Sequence, residues 1–422
     1  MLKIQQYSRF LALPFAFVLM ILGLSGCKNG FNKLYEQSSD EDDQERQESI
    51  ACRPTPVLDS TDKTEEVLTM IAKLSCEDKG VISGQSLGYG NEIVNDAVSD
   101  SIINSYKNLI EPLADQRYTL GIVSIDYEYN GIYTSDELVD ANDKLKEHWD
   151  VNGLVLVSWS PHSPWLNPFF LPGIVRGSDV DLEYSNDVDL AEILDIGTDP
   201  HDLWIQKLDH IIEALKNLQA QGVVVLFRPF PEMNTNNFWW GTDATADSDE
   251  AFTDIWKDMV EAFRDEGLDN ILWVFAPTAS ATGSSSKDIT WGYPGKNYVD
   301  IIAPVLRKDS LSLTTSEYNS LRDDFDGLPL GFSELGPAFE DEDTENNDAT
   351  SGEFDNRKYA DQLLDSNQAI AFWISGHDRQ IDADTKSFHS IENNENKREL
   401  FDFNSDIFTA ERIVDNELLS AP

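Results

Sequence analysis

Hydrophobic and polar residues alternate from residue 61 onward with two different periods. Short apolar runs rich in β-branched residues are typical of strands buried on both faces, and they predict strands here. The longer stretches 203–220 and 251–266 repeat apolar residues every three or four positions, which predicts amphipathic helices. Eight runs predict strands: Gly80–Ser83, Leu120–Ile125, Leu154–Trp159, Val223–Phe227, Ile271–Ala276, Val299–Val305, Leu328–Ser333 and Ala369–Ile374.

This alternation of eight strands with helices predicts an α/β fold, a (β/α)8 TIM barrel. A doubly wound parallel sheet is the alternative, but no glycine-rich phosphate loop follows the first strand. A long insertion, about 165–200, precedes the helix at 203–220, and we expect the weakly helical residues past 376 to cap the barrel. Because barrel active sites lie where the strands end, the residues after each run are the candidates for chemistry.

The stretch that follows the fourth strand carries the strongest candidates. Arg228 and Glu232 follow the apolar run and precede the aromatic pair Trp239 and Trp240. A carboxyl group beside indole rings can protonate the glycosidic oxygen of a sugar that is held against those rings. A buried ion pair with core aromatic residues is the alternative interpretation of the same stretch.

A second carboxylate, Glu334, follows the seventh strand, nearly opposite the fourth strand in an eight-stranded barrel. Glu232 and Glu334 can therefore converge on one bond, as in retaining glycosidases, whose two carboxyl groups lie about 5–5.5 Å apart. Trp373 in the eighth strand is a candidate floor for the sugar, with a core role as the alternative. Trp159 and His162 at the end of the third strand are further candidates for substrate binding.

The charge of the chain restricts its partners. The 422 residues include 77 acidic and 31 basic side chains, for a net charge of −46. Such a surface excludes nucleic acid and anionic membrane surfaces as binding partners, because both require clustered Lys and Arg. A neutral glycan is compatible with the charge. We expect a monomer that needs neither a cofactor nor a metal ion.

The N-terminus has the pattern of an export signal. Lys3 and Arg9 precede an apolar run from Leu11 to Leu24, and residues 24–27 read LSGC. This resembles a bacterial lipoprotein signal over residues 1–27, with Cys27 as the lipidated residue, and a plain transmembrane anchor is the alternative. The composition of residues 28–52 predicts an acidic flexible tether, and residues 53–422 are predicted to form one catalytic domain. Lys28, where an inner-membrane signal carries Asp, favours anchoring to the outer membrane.

Two further cysteines, Cys52 and Cys76, lie at the start of the domain. In an exported protein they are candidates for a disulfide that joins the start of the domain to its first helix. Two free thiols are the alternative.

The chain resembles glycoside hydrolase family 26, a (β/α)8 family of retaining enzymes that includes β-mannanases, β-1,3-xylanases and mixed-linkage β-glucanases. The segments that carry the resemblance are ISGQS, GLVLVSW, LDIGTDPH, FRPFPEMN with FWWG, WGYPGKNYVDII and FSELG, between about residues 80 and 376. The resemblance implies that Glu232 is the acid/base, that Glu334 is the nucleophile, and that Trp240 and Trp373 stack on sugar rings. It implies endo-acting hydrolysis of a β-linked polysaccharide, with β-1,4-mannan as the default substrate.

Three positions depart from the family pattern. Pro231 stands where the family has a histidine before its acid/base, and Ser160 stands where a histidine follows the strand-three tryptophan, with His162 two residues on. Arg307 replaces a tyrosine that binds the nucleophile, and we expect it to form an ion pair with Glu334 that lowers the pKa of this carboxyl group. These changes leave the two-glutamate chemistry in place and keep other β-glycans open as substrates. A catalytically silent glycan-binding lipoprotein is the alternative from another class.

Overall fold

The computed structural model describes most of the chain after residue 53 and part of each long loop. The described ranges are 54–77, 80–88, 103–128, 135–165, 189–235, 237–241, 249–279, 287–308, 310–337, 351–364, 368–380 and 386–420. Arg46–Pro422 forms one compact unit. Every helix within the described ranges is too short or too polar to span a lipid bilayer.

Parallel strands form the centre of the fold. In chain order they are β1 (Val81–Ser86), β2 (Ile122–Tyr127), β3 (Leu154–Trp159), β4 (Val225–Pro229), β5 (Ile271–Phe275), β6 (Ile301–Ile302), β7 (Val305–Arg307), β8 (Glu334–Gly336) and β9 (Phe372–Ser375). Three further short strands are β10 (Arg379–Gln380), β11 (Lys386–Ser387) and β12 (Ile407–Phe408). Strands β1 to β6 pair in sequence order, β7 pairs with β8, and β9 pairs with β1.

The sheet closes on itself. A parallel bridge joins Ile302 to Leu330, and another joins Phe332 to Trp373, so the segment before β8 connects both sides of the ring. The backbone N–H of Phe332 donates to the carbonyl of Phe372 at 2.8 Å, and that of Ile82 donates to Ala371 at 2.9 Å. The prediction of a (β/α)8 barrel is confirmed, with β6 and β7 together forming the sixth barrel strand.

Helices precede, separate and follow the barrel strands. The long ones span Asp62–Glu77, Ser135–Asp150, Asp199–Ala220, Glu250–Asp265 and Thr315–Asp324, and the short ones Glu111–Ala114, Arg357–Leu363, Lys397–Asp402 and Ala410–Asp415. A π-helical turn covers Tyr106–Ile110 and a 3-10 turn covers Leu190–Leu194. The helix predicted at 203–220 begins at Asp199, because Thr198 caps it by accepting from the N–H of His201 and Pro200 occupies its first turn.

The segment after residue 376, which was predicted to cap the barrel, also adds a strand to its sheet. Its strand β12 adds to β1 through the parallel pairs Val81–Ile407 and Ile82–Phe408. Gly80, at φ +124°, lies so close to this segment that an added Cβ would be 2.5 Å from the carbonyl oxygen of Asp406. The absence of a side chain at position 80 therefore allows the C-terminal segment to pack closely against the start of the first barrel strand.

Candidate active site

Glu232 lies in a tight turn three residues beyond the end of β4. Phe230 and Glu232 both have left-handed backbones, with φ values of 51° and 58°. The N–H of Glu232 donates to the carbonyl of Ala276 at 2.8 Å, and its carbonyl accepts from the N–H of Thr235 at 3.1 Å. Left-handed conformations of residues other than glycine cost about 1–3 kcal/mol each, and they cluster at functional sites. The main chain of Glu232 is thus held in a strained but fully hydrogen-bonded position.

Glu334 and Arg307 lie on neighbouring strands. Strands β7 and β8 are in parallel register, with Val305 opposite Glu334 and Arg307 opposite Gly336. Arg307 is therefore one diagonal position away from Glu334 on the same ladder, within reach of a long side chain. The fold brings a cation and a carboxylate together at the carboxyl end of the barrel, where Glu232 approaches from β4.

The guanidinium of Arg307 bridges the two glutamates. Its Nε donates to Oε1 of Glu334 at 2.9 Å, and its Nη2 donates to Oε2 of Glu334 at 2.8 Å. Its Nη1 and Nη2 donate to Oε2 and Oε1 of Glu232 at 3.3 and 3.1 Å. Burial alone would lower the pKa of Arg307, but the charges of Glu232 and Glu334 hold it well above its ordinary range. The ion pair predicted between Arg307 and Glu334 is confirmed.

This bridge limits the separation of the two carboxyl groups. One oxygen of Glu232 and one of Glu334 lie 3.1 and 2.8 Å from the same nitrogen, so these two oxygens are at most about 6 Å apart. The side chains of Arg307, Glu232 and Glu334 are only 16%, 14% and 17% exposed. The bridge thus holds two carboxyl groups around one cation in a partly desolvated site.

Arg228 reaches across the barrel interior beneath the pair. Its Nε donates to Oγ of Ser158 on β3 at 3.0 Å, and its Nη1 donates to the carbonyl of Ser333 at 3.3 Å. Ser333 immediately precedes Glu334, so Arg228 supports the strand that carries this carboxylate. Burial raises the pKa of Asp126 on β2 to about 6, although the charge of Arg228 and a hydrogen bond from Ser160 oppose the shift. Arg228 is thus part of a buried polar network and donates to no oxygen of either glutamate.

Trp239 and Trp240 support the Glu232 turn from behind. The indole N–H of Trp240 donates to the carbonyl of Pro231 at 3.0 Å, and that of Trp239 donates to the carbonyl of Pro161 at 2.7 Å. Phe238 stacks on Trp240 with ring centroids 4.5 Å apart. Both tryptophans are 1% exposed. The two rings pack on one another and tie two loops together, and their role in sugar stacking stays a prediction.

Trp159 and Trp373 are completely buried. Trp159 stacks on Trp204 with ring centroids 5.5 Å apart, and its indole N–H donates to Glu128 at 3.3 Å. Trp373 stacks on Tyr359 of the helix Arg357–Leu363 with ring centroids 5.5 Å apart. Both rings are 0% exposed, and their role as sugar-binding residues stays a prediction. For Trp373, this packing is compatible with the core role that the sequence left as the alternative.

Of the other predicted residues, the structure describes His162 and Cys76 but not Cys27 or Cys52. His162 is 3% exposed in the loop after β3, and Ser160 donates to Asp126 at 2.8 Å. Cys27 and Cys52 lie outside the described residues. Cys76 is disulfide-bonded, and its pairing with Cys52 stays a prediction. The described residues bring together no group of three His, Cys, Asp or Glu side chains that could hold a metal ion.

Three residues beside Glu334 were not predicted from the sequence. An added Cβ on Gly376 would lie 3.6 Å from Oε1 of Glu334 and 3.1 Å from Cβ of His389. The hydroxyl of Tyr359 donates to the carbonyl of Leu335 at 3.2 Å. Burial, with a smaller contribution from the charge of Glu334, raises the pKa of Tyr359. Gly376 lies two residues after the eighth apolar run, and this position was the signal for its location at the site.

Comparison with known proteins agrees with this geometry. The chain is 28% identical over 330 residues to mannan endo-1,4-beta-mannosidase A and B of Caldalkalibacillus mannanilyticus, covering 75% of this chain and 56% of that protein. It is 30% identical over 228 residues to a mannan endo-1,4-beta-mannosidase of Bacillus subtilis, covering 51% of this chain and 58% of that one. The chain thus spans little more than half the length of these two relatives.

The fold has solved counterparts. The structure of a Bacillus subtilis mannanase superposes with a TM-score of 0.61 at 22% identity, covering 82% of this chain and 92% of that one. The sequence model of glycosyl hydrolase family 26 matches residues 58–327, a range that includes Glu232 and Arg307 and ends before Glu334. This match covers more than half of the sequence, and the chain therefore belongs to glycosyl hydrolase family 26.

Proposed function

We propose that this protein is a retaining endo-β-mannanase that hydrolyses β-1,4-mannan by double displacement, with Glu232 as acid/base and Glu334 as nucleophile. Membership of glycosyl hydrolase family 26 supports hydrolysis of a glycosidic bond. The names of the two relatives support mannan as the substrate and endo-acting cleavage.

The observation that carries the proposal is the separation of the carboxyl groups. Oxygens of Glu232 and Glu334 lie at most about 6 Å apart, since both accept from Nη2 of Arg307. Retaining enzymes place their two carboxyl groups about 5–5.5 Å apart, whereas inverting enzymes need about 6.5–9.5 Å to admit a water molecule. The limit favours direct attack by a carboxylate over attack by water.

The mechanism follows from the two positions. A carboxylate oxygen of Glu334 attacks the anomeric carbon while Glu232 gives its proton to the glycosidic oxygen, which leaves as an alcohol. Water then attacks the same carbon, Glu232 takes a proton from this water, and Glu334 is released. Both steps invert the anomeric centre, so the product keeps the β configuration. Arg228 holds the Glu334 strand, and Trp240 holds the Glu232 turn.

A panel of glycans tests the substrate. We expect reducing ends to appear when the wild type is incubated with β-1,4-mannan, and β-1,3-xylan and mixed-linkage β-glucan test the alternative backbones. Glu232→Ala and Glu334→Ala should each lose at least about a thousandfold in rate, whereas Glu266→Ala, at an exposed surface pair, should retain full activity. Binding in an affinity gel without release from any of these glycans would identify a silent glycan-binding protein and contradict the proposal.

The cellular location belongs to the same proposal. Residues 1–27 have the pattern of a lipoprotein signal, so we propose an exported monomer anchored through a lipid on Cys27 to the bacterial outer membrane, with a neutral β-glycan as its partner. Labelling of cells with a radioactive fatty acid should mark the wild type but not Cys27→Ala. Recovery of both proteins in the soluble fraction would contradict the anchor.

A further inference from the structure

All four carboxylate oxygens of the glutamate pair accept hydrogen bonds from Arg307. Oε1 and Oε2 of Glu334 accept from Nε and Nη2, and Oε2 and Oε1 of Glu232 accept from Nη1 and Nη2. A bidentate guanidinium–carboxylate pair is strong and favours the ionised carboxylate. In this arrangement both glutamates act as acceptors, as two ionised carboxylates do.

The proposed chemistry requires a different arrangement. A general acid must carry a proton and present it to the leaving oxygen at hydrogen-bond distance. The anomeric carbon must also come within about 3–3.5 Å of an oxygen of Glu334. A proton on Glu232 competes with the guanidinium of Arg307 for the same oxygens, and a sugar ring competes with it for the same space. The structure therefore represents the free enzyme rather than the reacting complex.

Arg307 binds the two glutamates unequally. Its hydrogen bonds to Glu334 are 2.8 and 2.9 Å long, and those to Glu232 are 3.1 and 3.3 Å long. Arg307 and Glu334 are fixed on paired strands, whereas Glu232 approaches across the site on a turn whose backbone is itself hydrogen-bonded to Ala276. Of the two glutamate contacts, the one with Glu232 is the longer, and no shared ladder supports it, so it is the one that a ligand separates first.

We propose that Arg307 is a positioning residue that keeps both glutamates ionised in the free enzyme and is displaced from Glu232, but not from Glu334, when a sugar enters. This inference rests on the proposed function. After displacement, Glu232 lies near the negative charge of Glu334 without a cation between them, which favours uptake of a proton from solvent. The nucleophile keeps its cation and stays ionised. Substrate binding thereby allows Glu232 to take from solvent the proton that the general acid needs.

Among the residues that the structure describes, the charged and titratable groups near the glutamate pair have partners of their own. Beneath the pair, Arg228 donates to Ser158 and Ser333, and Asp126 accepts from Ser160. Tyr359 donates from the helix outside β8, and His389, beside Gly376, shares a hydrogen bond with Ser387. Lys308, next along β7, pairs with Glu317. Within the described ranges, Arg307 is thus the residue that hydrogen-bonds both Glu232 and Glu334.

The pH dependence of kcat/KM tests the inference, because it reports the ionisation of the free enzyme. An opposite charge at contact distance lowers the pKa of a carboxyl group by about 1–3 units. We therefore expect Arg307→Met to move the basic limb of the profile upward by at least about one pH unit. Arg307→Lys, which retains the charge, should keep the limb near that of the wild type while kcat falls. Arg357→Met removes an exposed arginine–carboxylate pair and should leave the profile unchanged.

A basic limb of Arg307→Met that coincides with that of the wild type would overturn the inference, whatever happens to kcat. Calorimetry of the wild type provides a second test that does not depend on the folding of a variant. Binding of mannobiose, measured near neutral pH in two buffers of different ionisation enthalpy, should take up about one proton per ligand, and binding without proton uptake would contradict displacement. If the wild type hydrolyses no glycan, the proposed function is refuted. If the wild type is active but the basic limb of Arg307→Met does not move, only the role of Arg307 is refuted.

Discussion

Lys207 and Glu128 form a buried ion pair behind the barrel mouth, and the loss of one partner has a calculable cost. Nζ of Lys207 lies 3.5 Å from Oε2 of Glu128, and the two side chains are 6% and 5% exposed. The same Glu128 oxygen accepts from the indole of Trp159. Removing one partner of a buried pair costs about 3–5 kcal/mol, since it leaves an uncompensated charge away from water. We expect Lys207→Met to lower the free energy of unfolding by that amount.

Urea unfolding of matched variants measures this cost. The exposed pair Lys216–Glu266, with side chains 41% and 54% exposed, provides the control, and Lys216→Met should change the free energy of unfolding by less than about 1 kcal/mol. Lys207→Met combined with Glu128→Gln should recover at least about 2 kcal/mol, because the neutral amide oxygen still accepts from Trp159 without a buried charge. A Lys207→Met loss below 1 kcal/mol, or no recovery in the double variant, would refute the reasoning.

Two other features give predictions of the same kind. Burial raises the pKa of Asp300 to about 7, although hydrogen bonds from two backbone N–H groups oppose the shift. Asp300 therefore stabilises the fold fully below about pH 4, where it is protonated. This contribution to the free energy of unfolding falls by up to about 4 kcal/mol as pH rises to about 7. Urea unfolding at several pH values should show this slope in the wild type and its absence in Asp300→Asn, and equal slopes would contradict the assignment. An added Cβ on Gly241 would lie 1.9 Å from the carbonyl oxygen of Thr235. Gly241→Ala should therefore shift the Glu232 turn and lower kcat. Wild-type kinetics of Gly241→Ala would show that the turn tolerates the shift.

The sequence was sufficient to predict the barrel because strands buried on both faces leave a continuous apolar signature. The predicted strand Val299–Val305 was less accurate, because the structure divides it into β6 and β7 at Pro304. Proline has no N–H to donate to the sheet. The two-residue strand β12 is too short to give a period. The ends of the fourth and seventh apolar runs were nevertheless found, because Arg228 and Glu334 directly follow them.

The site was harder to predict than the fold because its contacts join distant parts of the chain. Arg307 lies 75 residues from Glu232, and no local pattern shows that one guanidinium binds both glutamates. The tryptophans illustrate the opposite difficulty. An aromatic residue at a strand end is compatible with a sugar platform and with a packed core, and the sequence does not show its neighbouring rings, such as Trp204 against Trp159.

The central claim is that Glu232 and Glu334 act as the acid/base and nucleophile of a retaining hydrolase, and the configuration of the first product tests it most directly. Proton NMR, recorded as the wild type cleaves manno-oligosaccharides, distinguishes the anomers before they interconvert. The close approach of the two carboxylates to Nη2 of Arg307 predicts that the new reducing end appears as the β anomer. Initial release of the α anomer would contradict the account, since it would require a water molecule between carboxyl groups that lie farther apart.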